Sequence, residues 1–268
     1  MDLLDVVKTA GDEIICASLS QKPGKFGATI HNAGFKHLGL NYRYVGCAET
    51  NIERGLQIAR EHGVRGVGIS MPFKVAALNL MDEVHDTALF AGAVNTVVND
   101  NGWLTGYNTD VAGFSALAEE ANLQRDDRIC IHGSGGVARA VLVALKDYSD
   151  VSIYARNQRE AAVLGDKYGR PVYHFTHPKR EHGAVINCTP VGMNDEVISF
   201  IDLDAMTKFI DVIVKETPNV RAVRAAGKPA FTGETMALHQ AFAQFELYTG
   251  VKAPTEEMVR ALNAASQT

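Results

Sequence analysis

The chain has 268 residues, 46% of them hydrophobic, and carries a formal net charge of −5. That length allows one large or two small globular domains with a sizeable core, and the mild negative charge gives no general attraction for nucleic acid or an anionic membrane. No apolar run approaches the roughly 18–20 residues that span a bilayer, and the acidic opening Met1-Asp2-Leu3-Leu4-Asp5 lacks the basic start of a signal peptide.

In chain order, the first hundred residues alternate strand and helix signals. Glu13–Ala17 is a short apolar strand, and a helix follows over Ile30–Leu38, stopped by Gly39. Tyr42–Gly46 alternates like a strand. Ile52, Leu56 and Ala59 recur at helical spacing up to Gly63. Val67–Ser70 is the next strand, after which Pro72 fits the first turn of a helix, where its missing N–H costs nothing. Asn99-Asp100-Asn101-Gly102 is a turn between strands Thr96–Val98 and Trp103–Tyr107. A helix over Thr109–Ala121 is expected to lead from a first lobe into a second. In that second lobe Ile129–His132, Val151–Tyr154, Val172–His174, Ala184–Asn187 and Ile210–Val214 read as strands, with helices over Val137–Leu145, Arg159–Tyr168 and Val220–Ala226. The βαβαβ order predicts a parallel, doubly wound sheet. From Met236 the chain reads as helix to its end, broken at Gly250 and Pro254 and crossing back to the first lobe. The fold class is therefore α/β in two lobes, and clefts between lobes are where small ligands usually bind.

The four cysteines, Cys16, Cys47, Cys130 and Cys188, are far apart and form no C-x-x-C pair. Three lie in or beside apolar strand-like runs, where free cysteine behaves as a small core residue. This points to a reduced, cytoplasmic protein without structural zinc. His174, His177 and His182 cluster in a polar loop without i, i+4 spacing and read as surface residues.

The strand ending at His132 runs into Gly133-Ser134-Gly135-Gly136-Val137-Ala138. Glycine at 133 permits the tight turn, and glycine at 135 lets the backbone approach a diphosphate at the following helix N-terminus. Ala138 replaces the third glycine, which the pattern tolerates. Placed between a strand and a helix, this is a dinucleotide-binding loop. The next strand ends in Tyr154-Ala155-Arg156-Asn157 with no carboxylate for ribose hydroxyls. The planar fork of Arg156 suits a 2′-phosphate, so NADP is favoured over NAD. Thr189, with Pro190, is expected near the nicotinamide side; a loop-capping threonine is an equal reading.

Two polar stretches precede the loop: Ser70-Met71-Pro72-Phe73-Lys74 and Gly106-Tyr107-Asn108-Thr109-Asp110. Reducing a ketone needs a proton for its oxygen, and oxidising the alcohol needs a base. A lysine and a carboxylate in hydrogen-bond range can share that work. On the residues alone, Lys74 and Asp110 read more readily as a surface lysine and a helix-capping aspartate than as a catalytic pair.

The order Ser70–Lys74, then Gly92-Ala93-Val94-Asn95-Thr96, then Asn108-Thr109-Asp110, ahead of a G-x-G-G-x-A loop, resembles the shikimate dehydrogenase family. The resemblance runs from Ser18 to about Gly250. It implies a two-lobe NADP enzyme that interconverts 3-dehydroshikimate and shikimate, with Lys74 and Asp110 as the catalytic pair. It further implies that Ser18 and Ser20 hold the substrate carboxylate, that Asn95 and Asp110 bind ring hydroxyls, and that Ser70 and Gln240 touch the substrate. Gly133, Ser134, Gly135, Gly136, Val137, Ala138, Arg156 and Thr189 would serve the cofactor.

The departures from the family pattern resemble the divergent shikimate dehydrogenase-like paralogues. Ala17 stands for the histidine before the first serine, and Gln21–Ala28 intervenes where proline follows the second. Gly68 stands where the family has asparagine, and Val111 where it has glycine. The expected domains are a substrate-binding catalytic domain over 1–105, an NADP-binding Rossmann domain over 106–235, and helices over 236–268 packing back on the first. The partner is a small cyclic carboxylate; quinate, an amino-substituted relative, or binding with little turnover remain alternatives. Oligomeric state is open between monomer and homodimer.

Overall fold

The computed structural model describes residues 1–176, 183–197 and 202–265; His177 and His182 lie outside them. The chain divides into two compact units, Met1–Thr109 with Leu238–Thr268, and Asp110–Ala237.

The first unit opens with α1 (Leu3–Lys8), a helix the sequence reading did not anticipate, capped by the Asp2 carboxylate on the Leu4 N–H at 2.8 Å. Strands β1 (Ile14–Ser20), β2 (Tyr42–Ala48) and β3 (Gly66–Ile69) run parallel with β1 central, connected by α2 (Phe26–His37) and α3 (Ile52–Glu61). β4 (Glu83–Val84), α4 (Asp86–Ala91), β5 (Thr96–Asp100) and β6 (Trp103–Tyr107) follow, and the sheet order is β2-β1-β3-β5-β6-β4. α3 starts at Asn51, whose side chain accepts the Arg54 N–H at 3.1 Å. β5 and β6 pair antiparallel through a two-residue turn at Asn101 and Gly102, both at positive φ (54° and 93°). Side chains alternate along the strands. Ile15, Ala17, Leu19, Val67, Ile69 and Val97 therefore pack on one face with Leu3, Val6, Leu56 and Ala59. Fully burying each Leu, Ile or Val contributes about 1.5–3 kcal/mol.

Two expectations need correction here. α2 starts at Phe26, not Ile30: Gly27 reads as loop in the sequence, but its missing side chain admits the Tyr44 ring, 3.0 Å from where a Cβ would stand. Pro72 does not begin a helix. The Met71–Pro72 peptide is cis, the Phe73 N–H closes a turn on the Ser70 carbonyl at 3.0 Å, and a 3-10 turn follows only at Ala76–Leu80.

The second unit contains α5 (Asp110–Glu120), β7 (Arg128–His132), α6 (Gly136–Ala144), β8 (Asp150–Ala155), α7 (Gln158–Tyr168), β9 (Val172–His174), β10 (Ala184–Asn187), β11 (Lys208–Asp211), α8 (Pro218–Ala225) and β12 (Ala230–Phe231). Its strands are all parallel in the order β12-β11-β10-β7-β8-β9. Ile129, Ile131 and Ile153 bury one face against Phe114, Leu117, Val141, Leu142 and Leu164, while Cys130, Val185 and Phe209 bury the other against Val220 and Val223. Helices thus cover both faces of a parallel sheet, the doubly wound arrangement. β11 stops at Asp211 rather than continuing to Val214. The Asp211 carboxylate accepts the Ile213 N–H at 3.1 Å, which turns the chain away from the ladder.

The chain closes with α9 (Glu234–Thr249) and α10 (Thr255–Ala265). Ala241, Phe245, Tyr248 and Met258 join Ile30 and Phe35 over Cys16, Tyr44 and Val98, the second face of the first sheet. A Cβ at Gly66 would stand 2.2 Å from the Tyr248 ring, so this glycine is what lets α9 approach β3.

Candidate functional site

In the second unit, the chain direction along the sheet reverses between β7 and β10. Ligands of doubly wound sheets bind outside the carboxyl ends of the strands at such a point. The glycine loop leaves β7 there. Gly133 has φ 118°, and a Cβ on it would lie 3.0 Å from the Cys188 carbonyl oxygen, so the turn needs glycine on both counts. Gly135 caps α6 without any side-chain hydrogen bond, with open space where its Cβ would be. The helix N-terminus is therefore presented bare, as anion binding requires. Ala138 is fully buried under the loop. Arg156 follows β8, exposed, with no partner for its guanidinium among the described residues. These residues fit NADP: a bare helix end for the diphosphate and an available fork for the 2′-phosphate.

Beside the loop sits a carboxylate that the sequence reading missed. The Ser134 hydroxyl donates to Glu160 at 3.2 Å, and Arg139 reaches the other oxygen at 3.4 Å. Asn157 accepts the Glu160 N–H at 3.2 Å, so Asn157 and Glu160 form a capping pair at the start of α7. The Asn-x-x-Glu spacing was the available signal.

Thr189 follows β10. Its hydroxyl donates to the Asn187 side-chain oxygen at 2.6 Å, and the Asn187 amide donates to Asp211 at 3.0 Å. Thr217 also donates to Asp211, at 2.8 Å. Burial pushes the fully buried Asp211 carboxyl up to about 6, against the hydrogen bonds it accepts from Thr217, the Ile213 N–H and Asn187. A carboxyl whose folded pKa exceeds its unfolded one stabilises the fold below the unfolded pKa and loses that contribution as pH rises through the folded one. Wild type should therefore lose up to about 3 kcal/mol relative to Asp211→Asn as pH climbs from about 4 to 7. Urea denaturation of both proteins across that range checks it; a difference independent of pH contradicts it.

In the first unit, Ser18 of β1 stands in register between Gly46 of β2 and Gly68 of β3. Ser18 is half-buried and Ser20 is 5% exposed. The Tyr44 hydroxyl lies 2.8 Å from where a Gly68 Cβ would stand, and its phenol is raised by burial while the Ser18 hydroxyl acts against the rise. Burial brings the His31 imidazole, stacked on Tyr44 at 4.4 Å, down to about 4, so it is neutral at pH 7. Cys16 is pushed up to about 12 by the same cause and stays a thiol.

The strongest polar cluster is built around Asn95, which is 2% exposed. Its Oδ1 accepts the Thr109 N–H at 2.7 Å and the Thr96 hydroxyl at 2.8 Å, while its Nδ2 donates to the Thr109 hydroxyl at 3.0 Å. Lys74 is half-buried on the turn after β3, and its carbonyl accepts the Val94 N–H at 2.8 Å. Asp110, 5% exposed, is the first residue of α5, directly after Thr109. Ser70 is exposed, its N–H bonded to the Leu19 carbonyl at 3.0 Å, and Gln240 is half-buried on α9. Thr96 and Gln244, both in the network, were not singled out from the sequence. Gln244 Nε2 donates to Thr96 Oγ1 at 3.0 Å. Among the described residues no group of three or more His, Cys, Asp or Glu is placed to hold a metal ion, and no helix is long and apolar enough to cross a membrane.

Two family models match this chain: the shikimate dehydrogenase substrate binding domain over residues 26–97 and the shikimate 5′-dehydrogenase C-terminal domain over residues 233–262. A shikimate dehydrogenase-like protein of Haemophilus influenzae is 35% identical, covering 96% of this chain and 98% of its own. The NADP(+) shikimate dehydrogenase of Streptococcus pneumoniae is 31% identical over 89% of this chain and 92% of its own. Among solved structures, a shikimate dehydrogenase in complex with NADP+ superimposes with a TM-score of 0.86 at 27% identity, covering 96% of each chain. The Thermus thermophilus shikimate 5-dehydrogenase in complex with NADP(H) and shikimate gives a TM-score of 0.83 at 27% identity, covering 94% of this chain and 99% of its own.

Proposed function

The chain belongs to the shikimate dehydrogenase family, and from that premise we propose that it interconverts shikimate and 3-dehydroshikimate, or a close cyclic polyhydroxy carboxylate, with Lys74 and Asp110 handling the proton. It is an NADP-dependent oxidoreductase of the shikimate dehydrogenase type. The observation that carries the finer reading is the bonded unit of Asn95, Thr96 and Thr109. It fixes one strand start and the residue before Asp110 in a single buried network, and the adjoining Val94 N–H holds the Lys74 segment.

In this reading Ser18 and Ser20 hold the substrate carboxylate, with Ser70 and Gln240 completing the contacts to the acid. Of the two Nδ2 hydrogens of Asn95, one goes to Thr109 and the other has no acceptor among the described residues. That free hydrogen suits a ring hydroxyl. NADP, when bound, accepts hydride from the alcohol carbon or returns it to the ketone carbon. The Lys74 ammonium donates a proton to the carbonyl oxygen in reduction, and its amine takes the alcohol proton in oxidation. Asp110 holds the ammonium by a charge-assisted hydrogen bond and balances its charge. The loop Gly133–Ala138 and Arg156 hold the cofactor, with Thr189 on its nicotinamide side. The protein acts in the cytoplasm on a small molecule.

Steady-state NADP+ reduction with shikimate and with quinate tests the reading. Turnover with one of these acids is expected; no turnover with either, alongside tight NADPH binding in calorimetry, sinks it in favour of a binding protein. Arg156→Ala should raise the KM for NADP by about one to two orders of magnitude, the size of a lost charged hydrogen-bonding pair. It should leave the KM for NAD unchanged. Equal NADP affinity in wild type and variant refutes the role of Arg156.

A further inference from the structure

We propose that Gln244 is a positioning residue for substrate binding, acting through Thr96 on Asn95; this rests on the reading of Asn95 as a ring-hydroxyl contact. Gln244 is 5% exposed, a polar side chain among Ala241, Phe245 and Tyr248 on the buried face of α9. Burying a carboxamide is costly unless its groups are hydrogen-bonded. Its Nε2 finds Thr96 Oγ1 at 3.0 Å and the Asn95 carbonyl at 3.4 Å.

The chemistry of donors and acceptors gives this contact a direction. An amide nitrogen only donates, so the Thr96 oxygen accepts from Gln244 and must send its single proton elsewhere. Two acceptors are within reach, Asn95 Oδ1 at 2.8 Å and Thr109 Oγ1 at 3.0 Å, and the shorter contact is the one to Asn95. The same Oδ1 takes the Thr109 backbone N–H at 2.7 Å, which can likewise only donate. Both bonds hold Oδ1, and Nδ2 donates to Thr109 Oγ1 with its second hydrogen available for the proposed ring hydroxyl. Without the Gln244 donor, the Thr96 hydroxyl can turn to Thr109 Oγ1, 3.0 Å away, and Asn95 Oδ1 loses one of the donors that hold it.

The backbone around the contact is arranged for it. Thr96 pairs with Gly68 across the β3–β5 ladder, and Gln244 Nε2 lies 3.6 Å from where a Gly68 Cβ would stand. The Tyr44 hydroxyl takes the rest of that space, 2.8 Å from the same point. A side chain at 68 would enter the volume that the Gln244 carboxamide and the Tyr44 phenol now share. Gly68 is one of the departures from the family pattern, which has asparagine there. Here the carboxamide over this part of the sheet arrives from α9 instead.

The test is a double-mutant cycle of Gln244→Met and Thr96→Val, with Asn95→Ala as reference and melting temperatures measured throughout. Methionine keeps the length and bulk of glutamine, so packing survives while the donor is lost. Gln244→Met is expected to raise the KM for the ring acid about tenfold, with kcat and the KM for NADPH within about twofold of wild type. Thr96→Val should do the same, and the double variant should be no worse than about the larger single effect, because both act on one chain of bonds. Gln244→Leu, which likewise cannot donate, must reproduce the KM effect. The inference is overturned if Gln244→Met keeps a wild-type KM while Asn95→Ala loses tenfold or more. It is equally overturned if the two single effects multiply to about a hundredfold. If Asn95→Ala itself keeps a wild-type KM, the reading of Asn95 fails first and takes the role of Gln244 with it.

Discussion

Lys74→Ala is expected to lower kcat by a hundredfold or more, within the range of about 10²–10⁴ for removing a positioned proton-transfer group. The loss should fall on the chemical step, because nothing else in the proposed site delivers a proton to the substrate oxygen. The KM for NADP should hold, since the residues assigned to the cofactor are all in the second unit. The fold should hold as well. Lys74 is only half-buried, and its segment is held by backbone bonds, its own carbonyl to the Val94 N–H at 2.8 Å and the Phe73 N–H to Ser70 at 3.0 Å. Alanine keeps that carbonyl, so the melting temperature should move by no more than a few degrees, as for a surface substitution. Lys74→Arg offers the sharper contrast. It retains the positive charge, but a guanidinium does not deprotonate in proteins. If charge alone mattered, arginine would restore activity; with proton transfer at stake, it should be nearly as slow as alanine. Alanine or arginine variants within fivefold of wild-type kcat end the case for Lys74 as the proton-handling group.

What the sequence made readable was local. The glycine loop is flanked by its own strand and helix, so periodicity and glycine spacing suffice to place it. The turn at Asn101 and Gly102 is equally self-contained, because two adjacent residues at positive φ select their own types. The order of the Lys74, Asn95 and Asp110 segments was legible through family resemblance rather than through periodicity. What stayed hidden depends on partners far along the chain. Gln244 reads as one polar position on a helix, and only the fold brings its amide to Thr96, 148 residues away. The apolar run Ile210–Val214 looks like continuous strand, yet a side-chain bond from Asp211 to its own backbone ends the ladder early. Glu160 is hidden for a different reason: the usual ribose acid stands at the strand end, while this one reaches the loop from the first turn of α7. Pro72 by itself suits a helix start, and the turn it adopts is set by the segments it joins, not by the residue.

Gly133→Val should abolish useful NADP binding, with affinity down a hundredfold or more, and should also lower the melting temperature. Two independent obstacles act at this position. The backbone sits at φ 118°, where a β-branched residue is strained by about 1–3 kcal/mol. The new Cβ also meets the Cys188 carbonyl oxygen at 3.0 Å and its carbon at 3.1 Å. Those are backbone atoms, held in place by the Cys188 N–H on the His132 carbonyl at 2.8 Å, and they cannot swing aside as a side chain would. The loop must therefore move, and with it the N–H groups at the start of α6. A displacement of about 1 Å in a positioned site costs on the order of a hundredfold. Gly135→Ala separates the two causes. That residue has φ −74° and open space around its Cβ, so the apoprotein should melt like wild type. Its extra methyl stands only where the backbone must approach a diphosphate, so NADPH affinity alone should fall. Calorimetric titration with NADPH and thermal melts of both variants decide the matter. Binding within fivefold of wild type in Gly133→Val removes this loop from the cofactor site, and unchanged binding in Gly135→Ala removes the diphosphate from the helix end.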